Sequence, residues 1–233
     1  MEIAIGVARG LAYLHSGCDH RILHFDIKPE NILLADNREV KIADFGLAKL
    51  MNLEQSKTFT KMRGTRGYIA PEWLTNSAIS DKTDVYSYGM VLLEIVGGRK
   101  NCSTGLVDST NREYFPLMAL EKHMEGRWLE LVDPRLEGRV IESEVTRLVK
   151  VALCCLHEKS QMRPSMTVVA GMLEGTMAVQ EPRVERLKFL RMYRRGARGE
   201  TSDGGDNFIS LATSTTRTSL LTNVSAQVLS GPR

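Results

Sequence analysis

The stretch Ile22-Leu23-His24-Phe25-Asp26-Ile27-Lys28-Pro29-Glu30-Asn31-Ile32-Leu33-Leu34 decides how this chain is read. Within six residues it sets a carboxylate, an ammonium and an amide at Asp26, Lys28 and Asn31. Asp44-Phe45-Gly46 begins ten residues after its end, and Ala70-Pro71-Glu72 follows further on. Taken singly, Asp-x-x-x-x-Asn or Asp-Phe-Gly reads as a solvated turn. All three motifs in this order are hard to obtain by chance.

Working outward, Ile3, Val7, Leu11 and Leu14 fall at helical spacing with Ala4, Ala8 and Ala12 beside them, which predicts an amphipathic helix from the first residue. That helix has no N-cap and reads as cut rather than started. Ile32–Leu34 and Val40–Ile42 flank Asp36-Asn37, a short hairpin signal. A strongly apolar helix is predicted from Ser80, Asp81 and Asp84 to Gly97-Gly98. Residues 99–113 read as loop. Val145, Leu148, Val149, Ala152, Cys155 and Leu156 form another helical face, and Pro164-Ser165 opens a last helix that Gly175 caps. The fold class is therefore mainly α with short β-hairpins.

Composition narrows the classes further. The 233 residues, 42% hydrophobic and 25% charged, suffice for one sizeable core and a tail. The 31 Lys and Arg against 28 Asp and Glu are unevenly spread: residues 183–198 hold seven of the bases and one Glu, so the main body is slightly acidic. No nucleic-acid partner follows from that pattern. Cys18, Cys102, Cys154 and Cys155 show neither C-x-x-C spacing nor a paired His, which speaks against a disulfide or zinc framework. No apolar run reaches the roughly 18 residues that span a bilayer.

From residue 2 to about 180 the chain resembles the C-terminal, larger lobe of a plant receptor-like serine/threonine protein kinase, most closely the lectin-type (S-domain) subgroup. The residues carrying this are Asp26–Asn31, Gly64-Thr65-Arg66-Gly67-Tyr68-Ile69-Ala70-Pro71-Glu72-Trp73, Asp84-Val85-Tyr86-Ser87-Tyr88-Gly89 and Arg163-Pro164-Ser165-Met166. The resemblance implies a protein-kinase-like fold, phosphoryl transfer from ATP with Mg²⁺, and a protein substrate. It gives Asp26 the substrate hydroxyl, Lys28 the γ-phosphate, and Asn31 and Asp44 the metal. Thr65 would support the catalytic pair, and Leu33 would floor the adenine. Structural roles follow in the same way: Glu72 pairs with Arg163, Asp84 holds the catalytic-loop backbone, and His24 and Phe45 stack in the core. Candidate phosphosites are Ser56, Thr58 and Thr60. Other receptor-like kinases are implied partners, and the cytoplasmic face of the plasma membrane is the implied place of the full-length family. With no spanning segment of its own, this chain alone would be cytoplasmic.

Two departures qualify the resemblance. Phe25 stands where most kinases have an Arg before the catalytic Asp, so a loop phosphate cannot be received by that group and regulation falls to others. Nor do the 233 residues contain a G-x-G-x-x-G loop or a V-A-I-K lysine, so half of the nucleotide pocket is absent from the sequence. The isolated chain is therefore expected to be nearly inactive, and a non-catalytic lobe that binds or competes is the alternative. It is expected to divide into residues 1–180 (the lobe), 181–199 (a basic amphipathic segment) and 200–233 (a Ser/Thr-rich disordered tail). Segment 183–198 alternates bulky apolar and basic residues. A basic helix, solvated or docked on the lobe, is its simplest reading, and a membrane-surface or calmodulin-type contact is the alternative.

Overall fold

The computed structural model describes residues 1–52, 57–58, 60–75, 77–101, 114–136, 138–187 and 190–191. Five helices carry the body: α1 (Glu2–Ser16), α2 (Lys82–Gly97), α3 (Phe115–Glu125), α4 (Glu142–Cys155) and α5 (Met166–Glu174). Two short antiparallel ribbons complete it. In one, β1 (Arg21–Leu23) pairs with β4 (Lys49–Met51); in the other, β2 (Ile32–Leu34) pairs with β3 (Val40–Ile42). This is the helix-rich, strand-poor layout of a kinase's larger lobe.

Helix α2 is the axis of the molecule. Its sequence is apolar on nearly every side, and a helix of that kind is stable only when surrounded. It is buried from Thr83 to Leu93. Gly89 explains how close α4 comes: a Cβ there would lie 2.8 Å from the Cβ of Cys155 and 3.1 Å from the carbonyl oxygen of Ala152. The buried stripe of α1, Ala4, Val7, Ala8, Leu11 and His15, follows the i, i+3, i+4 rhythm. Tyr88 of α2 ties the two helices by donating to the Ala4 carbonyl at 2.6 Å. Helix α5 starts where the sequence places it, with the Ser165 hydroxyl accepting from the Val168 amide, and ends at Gly175 with φ 82°. Arg147 of α4 reaches over to the otherwise free carbonyl of Leu173 at 3.1 Å.

The packed body runs past residue 180, the boundary read from sequence. Leu187 and Leu190 are fully buried in the same core, and the Glu158 amide bonds the Arg186 carbonyl at 3.2 Å. The start of the basic segment is thus docked, apolar side in and Arg186 out. The rest of that segment beyond Arg191, the tail over 200–233 and the loop beyond Asn101 lie outside the described residues. Within those residues no helix is long and apolar enough to cross a membrane.

Candidate active site

The segment from β1 to β2 forms a loop around Asp26. One carboxylate oxygen accepts the Lys28 ammonium at 2.7 Å and the Asn31 amide at 3.2 Å; the other accepts the Thr65 hydroxyl at 2.5 Å. Lys28 also donates to the Thr65 hydroxyl at 2.9 Å, closing a small network. Residues 26, 28, 31 and 65 therefore meet at one point, although Thr65 is 39 positions from Asp26. Asp26 is 7% exposed. Burial pushes its carboxyl up, but the Lys28 and Thr65 hydrogen bonds outweigh it and hold the group below the usual carboxylate range.

Phe25 has φ 67°, a left-handed backbone that a bulky side chain rarely adopts. Such strain costs about 1–3 kcal/mol and persists only where the surroundings enforce it. Here the Phe25 and His24 amides both donate to Asp84, each at 2.8 Å and each to a different carboxylate oxygen. The Phe25 ring, 3% exposed, packs edge-on against Trp73 at 5.3 Å. Its carbonyl lies where a Cβ on Gly64 would sit at 2.8 Å, so position 64 admits only glycine, whose φ of 117° points the same way.

His24 joins this loop to the Asp-Phe-Gly segment. Its Nδ1 accepts from the Asp26 amide at 3.2 Å, which leaves Nε2 to donate to the Ala43 carbonyl at 3.0 Å. The Ala43 amide in turn bonds the Asn31 carbonyl at 2.9 Å. Asp44 is thereby carried alongside Asn31, in a left-handed turn (φ 62°) whose side chain accepts from the Gly46 amide at 3.2 Å. Asn31 spends its amide N–H groups on Asp26, which leaves its side-chain oxygen as an acceptor or metal ligand. An amide oxygen and a carboxylate suit a hard cation such as Mg²⁺.

His24 and Phe45 do touch, edge to face at 5.0 Å, yet only His24 is in the core. Phe45, expected to be buried, is 45% exposed, and Leu33 on β2 is 53% exposed. Among the described residues the two form an open apolar surface beside the Asp26 loop.

Glu72 and Arg163 form a buried bidentate pair at 2.7 and 2.8 Å. The Arg163 fork is fully used: it also reaches the carbonyls of His157, Lys82 and Glu158 and lies over the Tyr86 ring. Of the candidate phosphosites, Ser56 lies outside the described residues. The Thr58 hydroxyl accepts Lys49 at 2.6 Å and the Thr60 hydroxyl accepts Arg63 at 3.0 Å. Sequence reading singled out neither cation. Their signal was position, since both are bases inside the segment bounded by Asp44 and Glu72.

Residues 1–172 match the protein kinase domain family. The chain is 57% identical over 209 residues to a G-type lectin S-receptor-like serine/threonine-protein kinase of Arabidopsis thaliana, covering 82% of this chain and 24% of that protein. A second Arabidopsis protein of the same description is 50% identical over all 233 residues and 28% covered. One from Oryza sativa subsp. japonica is 48% identical over 182 residues, 78% of this chain and 22% of that protein. The chain spans about a quarter of the length of the curated relatives it matches. With its residues 1–172 matched and relatives at 48–57% identity, the chain belongs to the protein kinase domain family.

Proposed function

We propose that this chain carries the phosphoryl-transfer centre of a serine/threonine protein kinase acting on ATP and a protein hydroxyl. The observation that carries the reading is the convergence of Lys28, Thr65 and Asn31 on the Asp26 carboxylate. Asp26 accepts a hydrogen bond from the substrate hydroxyl and fixes its oxygen in line with the γ-phosphorus. As the bond to the hydroxyl oxygen forms, the bond from the γ-phosphorus to the ADP oxygen breaks, and the hydroxyl proton passes to Asp26. A carboxylate held below its ordinary range is a weak base, which suits a loose transition state in which the proton moves late. Lys28 supplies positive charge to the moving phosphoryl group, and Thr65 keeps carboxylate and ammonium in register. Asn31 and Asp44 would hold Mg²⁺, whose charge neutralises the phosphate oxygens when bound. Thr58 and Thr60 are the phosphosites favoured by their cations; Lys49 and Arg63 would receive the phosphate that Phe25 cannot.

A second reading, a non-catalytic lobe that docks or competes, is favoured by the open Leu33 and Phe45 surface. One experiment separates the two. The matching segment of the Arabidopsis relative is replaced by residues 1–233, and the chimera is given Mg-ATP and casein. Phosphoserine and phosphothreonine without phosphotyrosine are the expected products. A folded chimera that transfers nothing would establish the binding reading instead.

A further inference from the structure

The turn after α4 holds a histidine that the proposed chemistry does not use. His157 is 4% exposed. Its Nδ1 faces the Met162 carbonyl at 3.1 Å and must donate, whereas its Nε2 faces the Arg183 amide at 3.2 Å and must accept. The two partners fix one neutral tautomer. A proton on Nε2 would set N–H against N–H and place a charge in an enclosed site. Two cations already stand there: the Arg163 guanidinium, which donates to the His157 carbonyl at 2.8 Å, and Arg183 itself. Glu158 and Lys159 on the turn, and Glu185 and Arg186 on the segment it meets, are exposed. Burial holds the ring below the usual histidine range; the Met162 carbonyl opposes this and the two arginines add to it.

What Nε2 holds is the start of the basic segment. The Arg183 carbonyl takes the Arg186 amide at 2.8 Å and opens the turn Val184–Leu187, and the Arg186 carbonyl takes the Glu158 amide at 3.2 Å. Two hydrogen bonds thus tie this stretch to the α4–α5 loop, one through His157 and one through Glu158. Leu187 and Leu190 lie buried behind them. Just upstream, Glu181 is held separately, by Lys150 at 2.8 Å and His123 at 3.5 Å. Protonation of His123 would strengthen its contact with Glu181, so its titration acts in the opposite direction. A loss of docking in acid beyond Arg183 therefore points to His157.

We propose that His157 is an acid-sensitive latch for the segment that begins at Arg183: neutral Nε2 accepts the Arg183 amide and keeps the segment docked, and a proton at Nε2 removes the acceptor and frees it. Docking is then full above the ordinary histidine value of about 6.5 and weakens as pH falls below it, by up to about tenfold per pH unit. Amide hydrogen exchange, corrected for its intrinsic pH dependence, is measured on the full chain as wild type and His157→Gln at about pH 7.5 and about pH 5. Gln offers a side-chain oxygen in place of Nε2 and does not titrate. In the wild type, protection of the Arg183 and Glu158 amides is expected to fall about tenfold or more, with Leu92 and Leu93 of α2 unchanged. In His157→Gln it is expected to hold constant. Constant protection in the wild type, an equal fall in His157→Gln, or a fall throughout α2 would overturn the proposal. If His157→Gln fails to fold, the ring ¹⁵N shifts of the wild type decide. Protonation of Nε2 is expected to coincide with the loss of Arg183 protection; a protonated Nε2 with Arg183 still protected would overturn it.

Discussion

Asp26 and Glu94 show how two carboxylates in one lobe are set in opposite directions. Burial raises the Glu94 carboxyl, and the hydrogen bonds from the Asn101 amide and the Tyr68 hydroxyl offset it only in part. For Asp26 the balance runs the other way. A depressed folded-state value means that charged Asp26 stabilises the fold above its ordinary value of about 3.9, and that this is lost as pH falls through the lower one. A raised value means the reverse: the Glu94 contribution is full below about 4.3 and is lost as pH climbs through the raised value. Urea unfolding of Glu94→Gln should therefore gain on the wild type as pH rises from about 4 to 7; a constant gap would contradict it. Cysteines give a second test at this scale. Burial pushes the Cys154 thiol up to about 12 and Cys155 higher still, whereas Cys18 is half-buried. Since the thiolate is the reactive form, iodoacetamide on the folded chain at pH 8 should label Cys18 and spare Cys154 and Cys155. Equal labelling of the three would show the α4 surface to be open. Sequence alone exposed Asp26, Lys28 and Asn31 because their spacing is local. It gave no hint of the left-handed Phe25, since that depends on Asp84, 59 residues away in the chain.

At the scale of elements, the Glu72–Arg163 pair clamps the Ala-Pro-Glu turn to the loop between α4 and α5. A guanidinium with every donor used and no access to water is costly to strand. Glu72→Gln should lower unfolding free energy by about 3–5 kcal/mol, read from urea titration at neutral pH. A change under about 1 kcal/mol would place the pair among the exposed, weak ones. The helices α1, α4 and α5 were legible because each shows a periodic apolar face, and α2 because its continuous apolar run ends at Gly97-Gly98. Helix α3 was not read. Its apolar face, Phe115, Ala119, Leu120 and His123, is short and includes a histidine. Its end signals were present, with Pro116 in the first turn and Gly126 at φ 70° just past the end. Ribbon β1–β4 was missed for another reason: its strands are three residues each and 26 residues apart, so their pairing is a tertiary fact.

The described residues form a helical body with the Asp26 loop on one side, flanked by an apolar surface at Leu33 and Phe45. The β2–β3 surface is open, whereas at the other end of the described residues the 184–187 turn and residue 190 lie against the body, with Leu187 and Leu190 buried. The docking of that segment was among the alternatives read from its alternating pattern, but the depth of Leu190 depends on the pocket that receives it. In the proposed function Asp26 is the residue that meets the substrate hydroxyl. The most direct test is Asp26→Asn in the chimera described above, with labelled phosphate transfer followed over time and folding checked by circular dichroism. Transfer should fall by about 10²–10⁴-fold with the fold intact. A folded Asp26→Asn chimera that transfers phosphate at the unsubstituted rate would contradict the assignment.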